Sequence, residues 1–195
     1  VCVDSVNRYT AIKVSGVCQE ITDINMKVIL HYCGYDCRTL TELITNYVTI
    51  ELGLPIVTLK GDEISNICIK MFEESDVDDL GITKDNLVVY GNGNPVEVAG
   101  VCILDDYAAT SKSDCVIIEV ANYDASVIRK SSILLHNRNE SSIRHEKSLD
   151  SEMTIMALTR CLYLLKKMNG DLCIASNIVD IYPNKQEKNT IRLSR

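Results

Sequence analysis

The sequence predicts an α+β fold in which short strands form mixed sheets and pack against several helices. Apolar residues recur at i, i+3, i+4 spacing in some stretches, and other stretches are short β-like runs. The two kinds of segment do not alternate regularly, as a doubly wound sheet would require. The composition suits such a fold: 195 residues, 46% hydrophobic and 24% charged, describe a globular chain and exclude disorder or fibre. At this length roughly 70% of the unfolded surface can be buried, so a core forms without disulfide staples.

Tyr9-Thr10-Ala11-Ile12-Lys13-Val14 alternates with period two and predicts a half-buried strand. Thr22 is then the expected cap of a helix whose stripe is Ile24, Val28, Ile29 and Tyr32, with Gly34 as its stop. A second helix carries Thr41, Ile44, Tyr47, Val48 and Leu52 and ends at Gly53 and Pro55. Short β-like runs follow at Ile67 to Met71, Leu87 to Tyr90, Val96 to Val101 and Cys115 to Glu119. Asn92-Gly93 predicts a type I′ hairpin turn, because both central positions need positive φ; Gly91 to Pro95 is therefore a turn and not a phosphate loop. Asp124 caps a helix through Val127, Ile128, Ile133 and Leu134. Ser151 is the expected cap of another, whose Ile155, Leu158, Leu162, Leu165 and Met168 face the core before Gly170 ends it. The proline and mixed charges from Tyr182 to Lys188 form the only boundary-like segment.

Charge and cysteine usage narrow the function. A net charge of −7 repels a phosphate backbone, so any tRNA or DNA must be held mainly by something else. The 9 cysteines are scattered without a CxxC pair, which argues against zinc and for reduced thiols, mostly buried, in a cytosolic protein. No apolar run approaches the ~18 residues of a membrane helix. The chain starts at Val1 and shows no basic-then-apolar leader, so it is expected to be a segment of a longer protein.

Chemistry-bearing residues are sparse. His31, His136 and His145 lack a ligand or dyad spacing and are expected on surface or half-buried helices. No GxSxG elbow exists. The acidic run Glu73 to Asp79 lacks the glycine and terminal glutamate of a calcium loop and is expected to be a solvated loop. Glu119 is more informative. It ends the run Val116-Ile117-Ile118, in which apolar residues occupy both faces, and it shares a face with Ile117. A buried carboxylate there is costly unless it is hydrogen-bonded within the fold or reads a polar ligand group.

The stretch Thr45-Asn46-Tyr47-Val48-Thr49-Ile50-Glu51-Leu52-Gly53-Leu54-Pro55 resembles the "TNYVxxExGxP" motif of bacterial phenylalanyl-tRNA synthetase β subunits. Further similarities follow in order. Leu87 to Tyr90 with Val98 to Val101 is similar to "LVI…xLAGVMGG", Val116 to Glu119 to "VLLESA", Tyr123 to Lys130 to "FDPxxIRKT", and Arg138 to Glu146 to "RTEASYRFE". Arg8-Tyr9 fits at the front. The resemblance spans nearly the whole chain and implies a B3/B4 editing domain over residues 1–182, with 183–195 as the junction to a following domain.

That resemblance implies hydrolysis of tyrosine wrongly attached to phenylalanine tRNA, within a cytoplasmic heterotetramer whose α subunit aminoacylates. Glu119 would hydrogen-bond the tyrosine hydroxyl, with Ala99 and Gly100 closing that end, and Thr45 and Asn46 would orient water at the ester. No covalent nucleophile is implied, and base help would come from the tRNA's own ribose hydroxyl. It implies no cofactor or metal here, ATP and magnesium belonging to the synthetic site. Departures surround Pro55: "GQPLHAFD" becomes Gly53-Leu54-Pro55-Ile56-Val57-Thr58-Leu59-Lys60, so Val57 replaces a histidine. Asn139 and Ser141 replace the threonine and alanine of "RTEAS", and Ile103-Leu104 replaces "GG". Slower hydrolysis is therefore expected. The alternatives are a decayed module that keeps a structural, tRNA-facing role, and a free-standing deacylase.

Overall fold

The computed structural model describes residues 4–73, 81–183, 185 and 190–193. Most of the acidic run at 73–79 and most of the expected junction at 183–195 lie outside the described residues.

Two antiparallel sheets and a layer of helices stack into three layers. The first sheet orders β2 (Val57–Lys60), β7 (Val116–Tyr123) and β1 (Val6–Ser15), with the short β8 (Cys173–Ile174) and β9 (Val179–Ile181) both pairing with β1. The second orders β3 (Ile67–Met71), β4 (Leu87–Gly91), β5 (Asn94–Val98) and β6 (Cys102–Ile103). The helices are α1 (Ile24–Tyr32), α2 (Leu40–Leu52), α3 (Ala125–Leu134), α4 (Glu140–His145) and α5 (Met153–Met168), with one 3₁₀ turn at Asp105–Tyr107. None of the described helices is long and apolar enough to cross a membrane.

Strand β7 is buried at every position, because both of its faces are covered. Ile117, Ala121 and Tyr123 join Tyr9 and Ala11 in a core shared with the second sheet. Val116, Ile118 and Val120 join Ile12 and Val14 in another core with α1, α2 and α5. The period of two thus assigns Glu119 to the face between the sheets. Arg8 fastens β9 to β1, its Nε and Nη2 each 2.8 Å from the Asp180 carboxylate.

Local signals explain most boundaries. Thr39 and Glu42 form a reciprocal capping box at the start of α2, and Gly53 closes it at φ +84°. Asn92 and Gly93 both have positive φ between β4 and β5, as the hairpin signal requires. Asp124 caps α3 through the Ser126 and Val127 amides.

Four expectations are corrected. The cap of α1 is Asp23, not Thr22, and the helix buries Met26 and Leu30 while Ile24, Val28, Ile29 and Tyr32 face solvent. Several apolar stripes compete on this nine-residue helix, and Met26 and Leu30, one turn apart, win the face toward the helical core. Ser151 does not cap α5 with its side chain; it is buried, and its carbonyl accepts from Thr154 Oγ1. The carbonyl side of the turn is used, so the composition signal for a cap misleads. Ile133 and Leu134 of α3 are exposed, the core face being Ile128, Ser131 and Ser132. Among the described cysteines only Cys37, Cys115 and Cys161 are buried, so thiols are not mainly core residues here.

Candidate functional site

A cavity of about 390 Å³ opens where the helical layer meets both sheets. Glu42, Thr45, Asn46 and Thr49 line it at i, i+3, i+4 and i+7, a single face of α2. The chain leaves α2 at Gly53 and adds Pro55, Ile56, Val57 and Thr58 from the start of β2. The opposite wall is Glu97 on β5 with Val101, Cys102 and Ile103, and α4 contributes Asn139, Glu140, Ser141 and Arg144.

Six of the nine site residues expected from the sequence therefore meet in one cavity: Thr45, Asn46, Pro55, Val57, Asn139 and Ser141. Thr45 Oγ1 donates to the Thr41 carbonyl at 2.9 Å, which fixes its rotamer and leaves the hydroxyl as an acceptor toward the cavity. Asn46 Nδ2 lies 3.5 Å from Cys37 Sγ. Asn139 caps α4, its Oδ1 accepting from the Ser142 amide and its Nδ2 donating to the Val101 carbonyl at 2.6 Å. Ser141 Oγ donates to the Gly100 carbonyl at 3.1 Å. Both residues thus bind α4 to the turn that follows β5.

Glu119, Ala99 and Gly100 stand behind the wall and do not line the cavity. Glu119 is buried, with Oε2 accepting from Tyr9 Oη at 2.7 Å and Oε1 from Tyr123 Oη at 3.0 Å. In the β2–β7 register it lies directly opposite Val57, so the two side chains share a face, and of the two only Val57 lines the cavity. Gly100 has φ +67°, and its amide donates to Glu97 Oε1 at 3.0 Å. An added Cβ would meet His145 Cδ2 at 2.9 Å and Tyr123 Cδ2 at 3.2 Å. Gly100→Ala is expected to lose about 2 kcal/mol in urea denaturation, from left-handed strain and from that contact together. An unchanged midpoint would mean that the turn yields freely.

Glu97 was not legible as a site residue, although the reasoning applied to Glu119 fits it equally well. It sits between Val96 and Val98, is 1% exposed, and its Oε2 has no hydrogen-bond partner. The two carboxyls sense each other. Burial pushes Glu119 up to about 7, against the pull of the two tyrosine hydroxyls. Burial and then the charge of Glu119 raise Glu97 well above the usual range, offset only by the Gly100 amide. Glu119 has two O–H donors and Glu97 one N–H, so a shared charge settles on Glu119 and the proton on Glu97. His145 also departs from its expected place: it is buried against Tyr123, and burial lowers its pKa to about 4, leaving it neutral.

A three-layer scaffold enclosing a cavity, with one buried acid in its wall and a second behind it, defines an α+β pocket domain. Residues 5–170 match the family model of the B3/4 domain, and the chain belongs to that family. It is 30% identical over 197 residues to the phenylalanine–tRNA ligase beta subunit of Dehalococcoides mccartyi (strain CBDB1), covering 96% of this chain and 24% of that subunit. The beta subunit of Salinibacter ruber is 27% identical over 194 residues, covering 95% of this chain and 23% of its own length. The chloroplastic beta subunit of Porphyra purpurea is 29% identical over 154 residues, covering 72% and 21%. The chain thus spans about a quarter of the length of the first of these relatives.

Proposed function

We propose that this chain is the B3/4 portion of a cytoplasmic phenylalanine–tRNA ligase beta subunit, and that its cavity hydrolyses tyrosine esterified by mistake to phenylalanine tRNA. The enzyme would be a heterotetramer with an α subunit that carries the ATP- and magnesium-dependent synthesis. The observation that carries this reading is the convergence of Thr45 and Asn46 with a buried carboxyl wall around one cavity of amino-acid size.

A synthetic pocket built for an apolar ring cannot strongly reject one that merely adds a hydroxyl. A second pocket that hydrogen-bonds the hydroxyl can, because phenylalanine would leave its polar group unpaired. In this cavity Thr45 and Asn46 orient water at the ester. The hydroxyl of Ser141 is spent on the Gly100 carbonyl, so no Ser–His pair is assembled. The neighbouring ribose hydroxyl of the tRNA accepts a hydrogen bond from the attacking water and relays its proton to the ribose oxygen that leaves as the ester bond breaks, giving free tyrosine and uncharged tRNA. The acidic net charge leaves tRNA binding to the rest of the ligase.

A second reading, a decayed module that keeps only a structural role, is favoured by Val57 in the wall and by the internal hydrogen bonds of Asn139 and Ser141. Deacylation by the full ligase separates the two. Tyrosyl-tRNA(Phe) should be released faster than phenylalanyl-tRNA(Phe). Val57→His, which sets an imidazole in the cavity wall beside Glu119, should speed release by about tenfold through better water positioning. Release at the spontaneous rate in both proteins would establish the decayed module.

A further inference from the structure

A second cavity, of about 280 Å³, opens at the edge of the first sheet and shares no lining residue with the first cavity. β8 pairs with β1 only at Val14 and Ser15, and β9 only from Tyr9 to Ala11. Along this edge no strand covers Ile12 and Lys13; the Lys13 carbonyl accepts from the Ala175 amide, and its N–H donates to Ser176 Oγ. The opening leads between the two sheets. Tyr9, Ala11 and Ile117 form one wall, Ile64 and Ile67 the other, and the exposed Val179 the outer lip.

Lys13 is the odd residue of this face. The period of two sets it in line with Tyr9 and Ala11, toward the second sheet, so its stem lies along the apolar wall and its ammonium at the mouth. Nζ donates to the Ile64 carbonyl at 2.7 Å. That acceptor is neutral, and Lys13 takes part in none of the described ion pairs, although Asp62 and Glu63 come just before Ile64 in the chain. An ammonium has three donors, so beside the apolar cavity Lys13 keeps both charge and hydrogen bonds to offer.

We propose that this cavity binds a small monocarboxylate with an apolar tail, the tail lying between the sheets and the carboxylate meeting Lys13 Nζ at the mouth. The site is independent of the aminoacyl-ester reading of the first cavity. Apolar walls with one placed polar anchor are the general form of a small-molecule site, and the volume suits a ligand below drug size. One lysine balances one negative charge, and the neighbouring Asp62 and Glu63 disfavour a second, which excludes a phosphate dianion. A free amino acid is excluded as well, because its ammonium would come up against Lys13. The hydroxyls of Ser65 and Ser176 already donate, to Asn92 Oδ1 and the Asn177 carbonyl, so Lys13 and the side-chain amide of Asn66 are the donors for the carboxylate.

The test is calorimetric titration of the full protein at pH 7 with hexanoate, 1-hexanol and hexylamine, which share one tail. Hexanoate should bind the unsubstituted protein with a Kd on the order of 1 mM. The alcohol should bind about fivefold more weakly, for want of one half-exposed charge pair, and the amine more weakly still. Lys13→Gln keeps a donor for the Ile64 carbonyl but removes the charge, and should bring hexanoate and hexanol to about equal affinity. Val179→Trp fills the mouth from an exposed position and should abolish binding of both; it carries the test if the glutamine variant does not fold. No heat from hexanoate with the unsubstituted protein would mean that another part of the protein closes the mouth or that the walls hold no tail, and would overturn the proposal. So would equal affinity for the three probes, a carboxylate preference kept by Lys13→Gln, or binding undiminished in Val179→Trp.

Discussion

Glu119→Ala should lower the stability of the fold by about 3–5 kcal/mol, the largest loss expected from a single substitution here. Tyr9 and Tyr123 are each 2% exposed, and their hydroxyls donate to the two oxygens of Glu119. Removing the acceptor strands both donors in an interior that water does not reach, at about 1–3 kcal/mol each. The vacated volume adds a cavity term, since β7 is covered on both faces and cannot collapse far. Relief of repulsion with Glu97 works the other way but cannot cancel two orphaned hydroxyls. At pH 4.5, where the parent carboxyl is itself neutral, Glu119→Gln retains the shape and one acceptor and should lose only about 1 kcal/mol. Urea denaturation of the three proteins at pH 4.5 measures the series. An alanine variant within 1 kcal/mol of the parent would mean that the hydroxyls find other acceptors, and the central role given to this cluster would fall.

The same cluster shows what the sequence made legible. The carboxylate at Glu119 stood out because it ended an apolar run, and burial with partners followed from its cost. Its partners could not be inferred, because Tyr9 is 110 residues away and meets it only through the β1–β7 register, two residues from Ala11 opposite Glu119. Glu97 carries the same signal between two valines, in a hairpin whose resemblance points to Ala99 and Gly100 instead. The burial of His145 is hidden for a related reason. A histidine in a six-residue helix of mixed polarity shows no periodicity, and only the packing of α4 against the Gly100 turn buries it. Long elements with one dominant stripe or a cap motif, α2 above all, are legible. Pairs of two or three residues such as β8 and β9 exist only because β1 offers them an edge, which no local propensity encodes. The α+β class survived these misses because it rests on the count and order of the long elements.

Opposite pH slopes should appear when His145 and Glu119 are replaced one at a time. His145 has its folded pKa lowered from 6.5 to about 4, so between those values the unfolded chain holds a proton that the folded chain does not. Stability from this group is therefore present above 6.5 and lost as pH falls. Glu119 has its folded pKa raised from 4.5 to about 7, so in that window the folded chain holds the extra proton. Its effect has the opposite sign: stability is greatest below 4.5 and is lost as pH rises toward 7. In the parent protein the two slopes largely cancel between 4.5 and 6.5, while Glu97, also raised, tilts the balance toward loss with rising pH. Subtracting the parent curve isolates each group. His145→Gln should gain on the parent by roughly 3 kcal/mol as pH falls from 6.5 to 4, and Glu119→Gln should gain by a similar amount as pH rises from 4.5 to 7. Guanidinium denaturation at half-unit steps across this range gives both difference curves. Two flat curves would mean that water enters the interior enough to remove the burial cost. The acid pair would then not keep its proton at neutral pH.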